Sequence, residues 1–204
     1  QGASTDDLPL AKLRPRTQRG GTEVFLYGPD RDDLFAITTG LLDQLGLDIM
    51  DARIITADNG YTLNSFLVLD EDGEPVSDPM RQHEITETLK RVLRDPSAAD
   101  LRVSRRAARQ LKHFPTETHV SFSDDESKQR TVMRLVTWDR PGLLAQVGRA
   151  FSTCGVRLQN AKIATFGSQA EDVFYVTAEN GAPLNEQDQQ QLREKLIAAL
   201  DQSE

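Results

Sequence analysis

The sequence predicts an α+β protein made of two ferredoxin-like domains of the βαββαβ type in tandem. Each is an antiparallel sheet with helices on one face. Three observations point there. The chain matches itself at a shift of 109 residues, each copy reads strand, helix, strand, strand, helix, and 204 residues suit two small domains.

The repeat comes first because it organises everything else. Tyr27-Gly28-Pro29-Asp30-Arg31-Asp32-Asp33-Leu34-Phe35 falls on Val136-Thr137-Trp138-Asp139-Arg140-Pro141-Gly142-Leu143-Leu144. Gly46 falls on Gly155, Ala52-Arg53-Ile54 on Ala161-Lys162-Ile163, and, after a one-residue gap, Asn64–Val68 on Asp172–Val176. Apolar, glycine and Asp-Arg positions coincide in order although identities are few.

Val24–Tyr27 and Val132–Val136 are rich in β-branched and aromatic residues and read as strands. A helix follows in each copy, with Leu34, Ile37, Leu41 and Leu45 matched by Leu143, Val147, Ala150 and Cys154. Gly46 and Gly155 stand where a helix end wants a residue tolerant of positive φ. Two strands come next, joined in the first copy at Asn59-Gly60, a strong hairpin signal. The second helix shows Ile85, Leu89 and Val92, or Leu192, Leu196 and Leu200, at i, i+3/i+4 spacing.

This order is one strand short of a closed ferredoxin-like unit. After Leu200 too little chain remains for a closing strand, but His119–Phe122 alternates like one just ahead of Val132. Leu10–Leu13 takes the same place ahead of Val24. Each domain is therefore expected to take its edge strand from its N-terminal side. The conventional reading, with 120–122 closing the first domain, leaves the second open. The expected organisation is a leader at 1–7 outside the fold, a first domain at 8–95, a basic linker at 96–116 and a second domain at 117–204.

Charge and composition narrow the function. A net charge of −8 opposes a general phosphate-backbone binder, and 6% aromatics give few stacking platforms for RNA. The run from Leu101 to Thr116 has five basic residues and no acidic one, which fits a nucleic-acid arm or a docking segment for an acidic partner but, at a net charge of −8, reads better as a solvated linker. No segment approaches the roughly 20 apolar residues of a membrane span. A single cysteine excludes an internal disulfide framework and favours the cytoplasm. His83, His113 and His119 lack partners at zinc-ligand spacing. Asp70–Glu74 and Ser123–Glu126 lack the regular spacing of a calcium loop and read as hairpin turns. No catalytic constellation is found.

What remains is the strand-to-helix corner. In Asp139-Arg140-Pro141-Gly142-Leu143, Pro141 suits a helix start and Gly142 allows close approach. The helix N-terminus offers N–H groups to a carboxylate, and Asp139 offers a charge to an α-ammonium group. Together they complement a free α-amino acid, although an Asp before a helix is often only a cap.

Asp-Arg-Pro-Gly-Leu-Leu-Ala at 139–145, the Ala161–Thr165 strand and Glu171–Val176 resemble the ACT domain, a small-molecule-sensing module. Gly20-Gly21-Thr22-Glu23-Val24-Phe25, Pro29-Asp30-Arg31 with Leu34-Phe35, and Leu111-Lys112-His113-Phe114 more specifically resemble one family. That family is the bacterial bifunctional PII uridylyltransferase/uridylyl-removing enzymes, and the match is to their C-terminal tandem ACT region.

The resemblance implies a regulatory, non-catalytic region that senses L-glutamine and biases a parent enzyme towards uridylyl removal. Its implied partners are the catalytic domains of the same chain and, through them, PII; a homodimer is left open, and neither nucleic acid nor membrane is expected. No cofactor is implied for this region, whereas the parent would use UTP and a divalent metal.

The ligand residues implied are a corner bank from one domain and a strand bank from its neighbour. The corner bank is Asp139, Arg140, Gly142 and Leu143, or Asp30, Arg31, Asp33 and Leu34 in the first copy. The strand bank is Leu158, Gln159 and Asn160, or Ile49, Met50 and Asp51, with Asn160 reading the side-chain amide. Because the first copy has Asp32-Asp33 in place of Pro141-Gly142, the second corner is favoured. A ligand-independent interaction module is the competing reading, since edge strands also serve sheet extension.

Overall fold

Alternating side chains along the strands, and a 3.6-residue stripe along the helices, build two compact units, Gln1–Ser104 and Arg105–Glu204. The computed structural model describes residues 8–15, 17–31, 33–57, 59–95 and 117–201. The expected leader, the basic linker, Leu111–Phe114 and Asp32 lie outside the described residues.

In the first unit the order is β1 (Leu10–Arg14), β2 (Thr22–Pro29), α1 (Leu34–Gln44), β3 (Asp48–Thr56), β4 (Tyr61–Leu69) and α2 (Pro79–Arg94). The strands stand β1-β2-β4-β3, all neighbours antiparallel. The second unit repeats this with β5 (His119–Asp125), β6 (Arg130–Trp138), α3 (Leu143–Thr153), β7 (Val156–Lys162), β9 (Gln169–Ala178) and α4 (Glu186–Asp201). Its order is β5-β6-β9-β7, again antiparallel, with a two-residue β8 (Thr165–Phe166) folded back on β9.

The edge strands come from in front, as the repeat indicates. Leu10 pairs with Tyr27 and Leu13 with Val24, while His119 pairs with Val136 and Phe122 with Met133. Each connection is short enough for a neighbouring antiparallel pair. The turn between β5 and β6 is a single 3-10 turn, Glu126–Lys128, followed by Gln129 in the left-handed region.

One face of each sheet is buried under its helices. Val24, Leu26, Phe66 and Val68 on the strands and Leu42, Ile85 and Leu89 on the helices are buried in the first unit, as are Met133, Leu135, Phe174 and Val176 with Val147, Leu192 and Leu196 in the second. Leu34, Leu45 and Cys154, read as stripe residues, are only half-buried because they stand at helix ends. Burial raises the Cys154 thiol pKa, which disfavours the thiolate.

Buried threonines repeat as faithfully as the core. Thr22 Oγ1 accepts the Val76 N–H at 2.8 Å, and Thr131 Oγ1 accepts the Leu184 N–H at 2.9 Å. Gln82 and Gln189 then close on the carbonyls of the same two residues at 2.9 and 3.0 Å. These bonds satisfy backbone groups that enter the last helix of each unit away from water. Gly46 and Gly155 both take positive φ, 70° and 63°, as their place after a helix requires. The Asp70–Glu74 loop differs from its expectation as a hairpin turn. Asp70 Oδ1 accepts the N–H groups of Asp72 and Glu74 at 3.0 and 2.9 Å, making an Asx-type turn on the way to α2.

Candidate functional site

The second corner is built where β6 ends and α3 begins. Asp139 donates its N–H to Ser168 O at 2.9 Å, which ties the corner to the β8–β9 turn. Its Oδ2 accepts the Thr165 hydroxyl at 3.1 Å. Gly142 is the N-cap of α3 at φ 77°, a conformation that favours glycine for backbone reasons alone. The Leu143 N–H is engaged by Arg140 O at 3.1 Å. Leu144 and Ala145 are the next two donors of the first turn, which has no intrahelical acceptors to offer them. Among the described residues neither finds another acceptor. Arg140 is turned inward: Nη2 donates to Gln146 Oε1 at 2.9 Å and to Leu200 O at 2.7 Å. Burial lowers the Arg140 pKa while the charge of Asp201 supports its cationic form.

Behind this corner stands a carboxylate absent from the expected site. Asp172, on β9, is 1% exposed. One oxygen accepts the Ala164 N–H at 3.3 Å, and the other is buried with no partner among the described residues. Burial pushes its pKa up to about 7, the Ala164 bond opposes the rise, and the charge of Asp139 adds to it. The unit thus places two carboxylates within electrostatic reach, one partly open and one enclosed.

The corner bank and the strand bank do not meet within a unit. Trp138, beside the corner, pairs with Gln169, whereas Asn160 pairs with Tyr175, six residues along β9. At ~3.4 Å per residue that is about 20 Å. Leu158 is buried, Gln159 occupies a bulge with Nε2 3.5 Å from Thr177 Oγ1, and Asn160 is half-buried. The first unit has the same separation, with Pro29 opposite Tyr61 while Ile49 and Asp51 pair with Val68 and Leu67. There Ile49 is buried, Met50 is exposed, and Asp51 forms an ion pair with Arg19. At the first corner Asp30 is exposed and donates its N–H to Gly60 O at 2.9 Å. Asp33 caps α1 through its carbonyl, with no side-chain cap bond, and Leu34 is half-buried.

No family model matches the chain. Relatives do. The chain is 46% identical over 193 residues to the bifunctional uridylyltransferase/uridylyl-removing enzyme of Methylococcus capsulatus, covering 94% of this chain and 22% of the relative. It is 43% identical over 195 residues to that of Vibrio campbellii, covering 96% and 22%. The chain is similar to one region of the bifunctional uridylyltransferase/uridylyl-removing enzyme. That region is the C-terminal one the Gly20–Phe25 and Asp-Arg elements resemble. The chain spans about 22% of the length of these curated relatives. Among solved structures, an aspartate kinase from Synechocystis is similar at a TM-score of 0.45 and 15% identity, over 90% of this chain and 27% of that one.

In this homologue of the uridylyltransferase region, sequence reasoning missed Asp172, Thr165 and Ser168. The signal for Asp172 was present: in Ala170-Glu171-Asp172-Val173-Phe174-Tyr175-Val176 it alternates in phase with the core. Thr165 ends the Ala161–Thr165 run that carries the resemblance but is not marked there as a site residue, and Ser168 lies in a small hairpin between the matched blocks of the repeat. Among the described residues no group of three or more His, Cys, Asp or Glu side chains is placed to hold a metal, and no helix is long and apolar enough to cross a membrane.

Proposed function

We propose that the chain is the regulatory, amino-acid-sensing region of an enzyme that uridylylates and deuridylylates PII. L-glutamine is its effector, and its binding biases the parent towards uridylyl removal. The observation that carries this reading is the second corner, where Asp139 and two unengaged N–H groups of α3 lie within a few residues of each other. Asp139 holds the α-ammonium group, with Asp172 behind it adding negative potential. The N–H groups of Leu144 and Ala145 hold the α-carboxylate. Homology along nearly the whole chain to the uridylyltransferase/uridylyl-removing enzyme supports the regulatory context.

Arg140 has a different part. Its bond to Leu200 O ties the corner to the end of α4, so a ligand that shifts the corner also shifts that helix. Coupling of this kind requires two arrangements that differ in ligand affinity. Calorimetric titration of the 204-residue chain with L-glutamine, beside L-glutamate and D-glutamine, is the test. Saturable binding of L-glutamine alone, weakened at least tenfold by Asp139→Ala, is expected. Unchanged affinity in that variant would remove the site assignment, and no heat with any of the three would remove the sensor reading for this chain.

A further inference from the structure

Arg31 and Arg140 are the same residue of the repeat in different company. In the second unit Arg140 reaches the C-terminus of α4, bonding Leu200 O and lying near Asp201. The helical stripe sets Leu93 of α2 against Leu200 of α4, so Arg94 takes the place of Asp201. A cation therefore stands in the first unit where the second has an anion.

The space between them is open. A cavity of about 380 Å³, large enough for a small ligand, is lined by Arg31, Arg94, Tyr27, Tyr61, Leu34 and Leu8 among others. The Arg31 Nη2 is buried and has no hydrogen-bond partner among the described residues. Arg94 is held in place by a bond from Nε to Leu8 O at 3.3 Å. The rings of Tyr27 and Tyr61 stack with centroids 5.6 Å apart and form an aromatic wall. Among the described residues no carboxylate lines this cavity. Two guanidinium groups repel one another, and a buried N–H without an acceptor is destabilising. An anion seated between them relieves both, and planar guanidinium groups suit carboxylate or phosphate oxygens.

We propose that the first unit carries a binding site, separate from the glutamine corner, for a small organic anion. Arg31 and Arg94 clamp its carboxylate or phosphate, and Tyr27 and Tyr61 pack its flat or apolar body. The site depends on neither the parent enzyme nor the second corner.

The test is calorimetric titration of the whole chain with phenyl phosphate, benzoate and inorganic phosphate at low salt. One saturable site for phenyl phosphate or benzoate is expected, with inorganic phosphate at least threefold weaker because it lacks a body for the tyrosines. Preference for phenyl phosphate assigns a phosphate ester, and preference for benzoate a carboxylate. Arg94→Asp installs the second unit's charge and should weaken binding at least tenfold without lowering the melting temperature, since Arg31 gains a partner. Arg31→Gln gives the same loss and keeps the test valid if Arg94→Asp is unstable. Asp139→Ala leaves this binding unchanged. Failure of all three probes to saturate, which indicates a water-filled cavity only, or wild-type affinity in both arginine variants, overturns the proposal.

Discussion

Asn64 and Asp172 occupy the same position in the two units, and both are 1% exposed. Asn64 Oδ1 accepts the Thr62 hydroxyl at 2.8 Å. In the second unit Ala170 stands where Thr62 does, so Asp172 lacks that donor and, above about pH 7, carries a charge as well. One unit solves a buried polar position with a neutral, bonded amide. The other keeps an enclosed carboxylate beside a corner that carries a second one. Identical architecture thus gives one repeat a settled interior and the other a reason to recruit a cation.

The comparison can be broken at several depths. The largest effect belongs to the shared core. Phe66→Ala and Phe174→Ala should each cost about 3–5 kcal/mol, because both rings are fully buried against a second ring, Phe35 or Phe151. Chemical denaturation of the two variants should show losses alike within about 1 kcal/mol if the cores are equivalent.

Asp172→Asn comes next and acts with pH. The folded pKa of Asp172, near 7 against an ordinary 3.8, means the folded state holds the proton more tightly. Its unfavourable contribution is absent below about pH 4, grows as pH rises, and is complete above pH 7. The asparagine variant should therefore be more stable than wild type by on the order of 2–4 kcal/mol at pH 8 and equal to it at pH 3. Melting curves across pH decide this; a gain that does not change with pH would mean the carboxyl does not titrate in that window. A sharper form uses the ligand. If an ammonium group rests against both carboxylates, glutamine binding at pH 6.5 releases a proton from Asp172, and the measured heat changes with the buffer's ionisation enthalpy.

Thr22→Val and Thr131→Val each leave a buried N–H, that of Val76 or Leu184, without its acceptor. A loss of about 1–3 kcal/mol in either unit is expected. Unequal losses in denaturant titration would show that the two clamps are not equivalent. The smallest effect is at the corners. Gly142→Ala should cost about 1 kcal/mol because its φ is 77°, whereas Asp33→Ala, at φ −94° with no side-chain cap bond, should cost only a few tenths.

Much of this architecture was legible in the residues. The 109-residue self-match located both sheets and both edge strands, because a strand that precedes its partner leaves the same apolar trace as one that follows it. Gly46 and Gly155 were legible because helix ends impose a backbone conformation. Gly142 was legible as a glycine that allows close approach, and its φ of 77° adds a backbone reason that the sequence does not show. The resemblance already assigns the corner bank and the strand bank to neighbouring domains; the distance between them within one unit was hidden for want of a register. Asp139 and Asn160 lie 21 positions apart in sequence, and only the strand pairing shows that one unit cannot bring both to one small molecule. The arginine cavity was hidden for another reason. It depends on the end of a helix meeting a corner more than 60 residues away, and charge there reads as ordinary surface.

Since β1 precedes β2 and β5 precedes β6, each sheet draws its strands from one uninterrupted stretch of chain. During synthesis the four strands and two helices of the first unit are all available once Arg94 has emerged. No strand of the order β1-β2-β4-β3 comes from sequence made later, and its most distant pairing, β2 with β4, spans only Thr22 to Val68. Such a module can fold before the next begins, which protects two similar sequences from exchanging strands with each other.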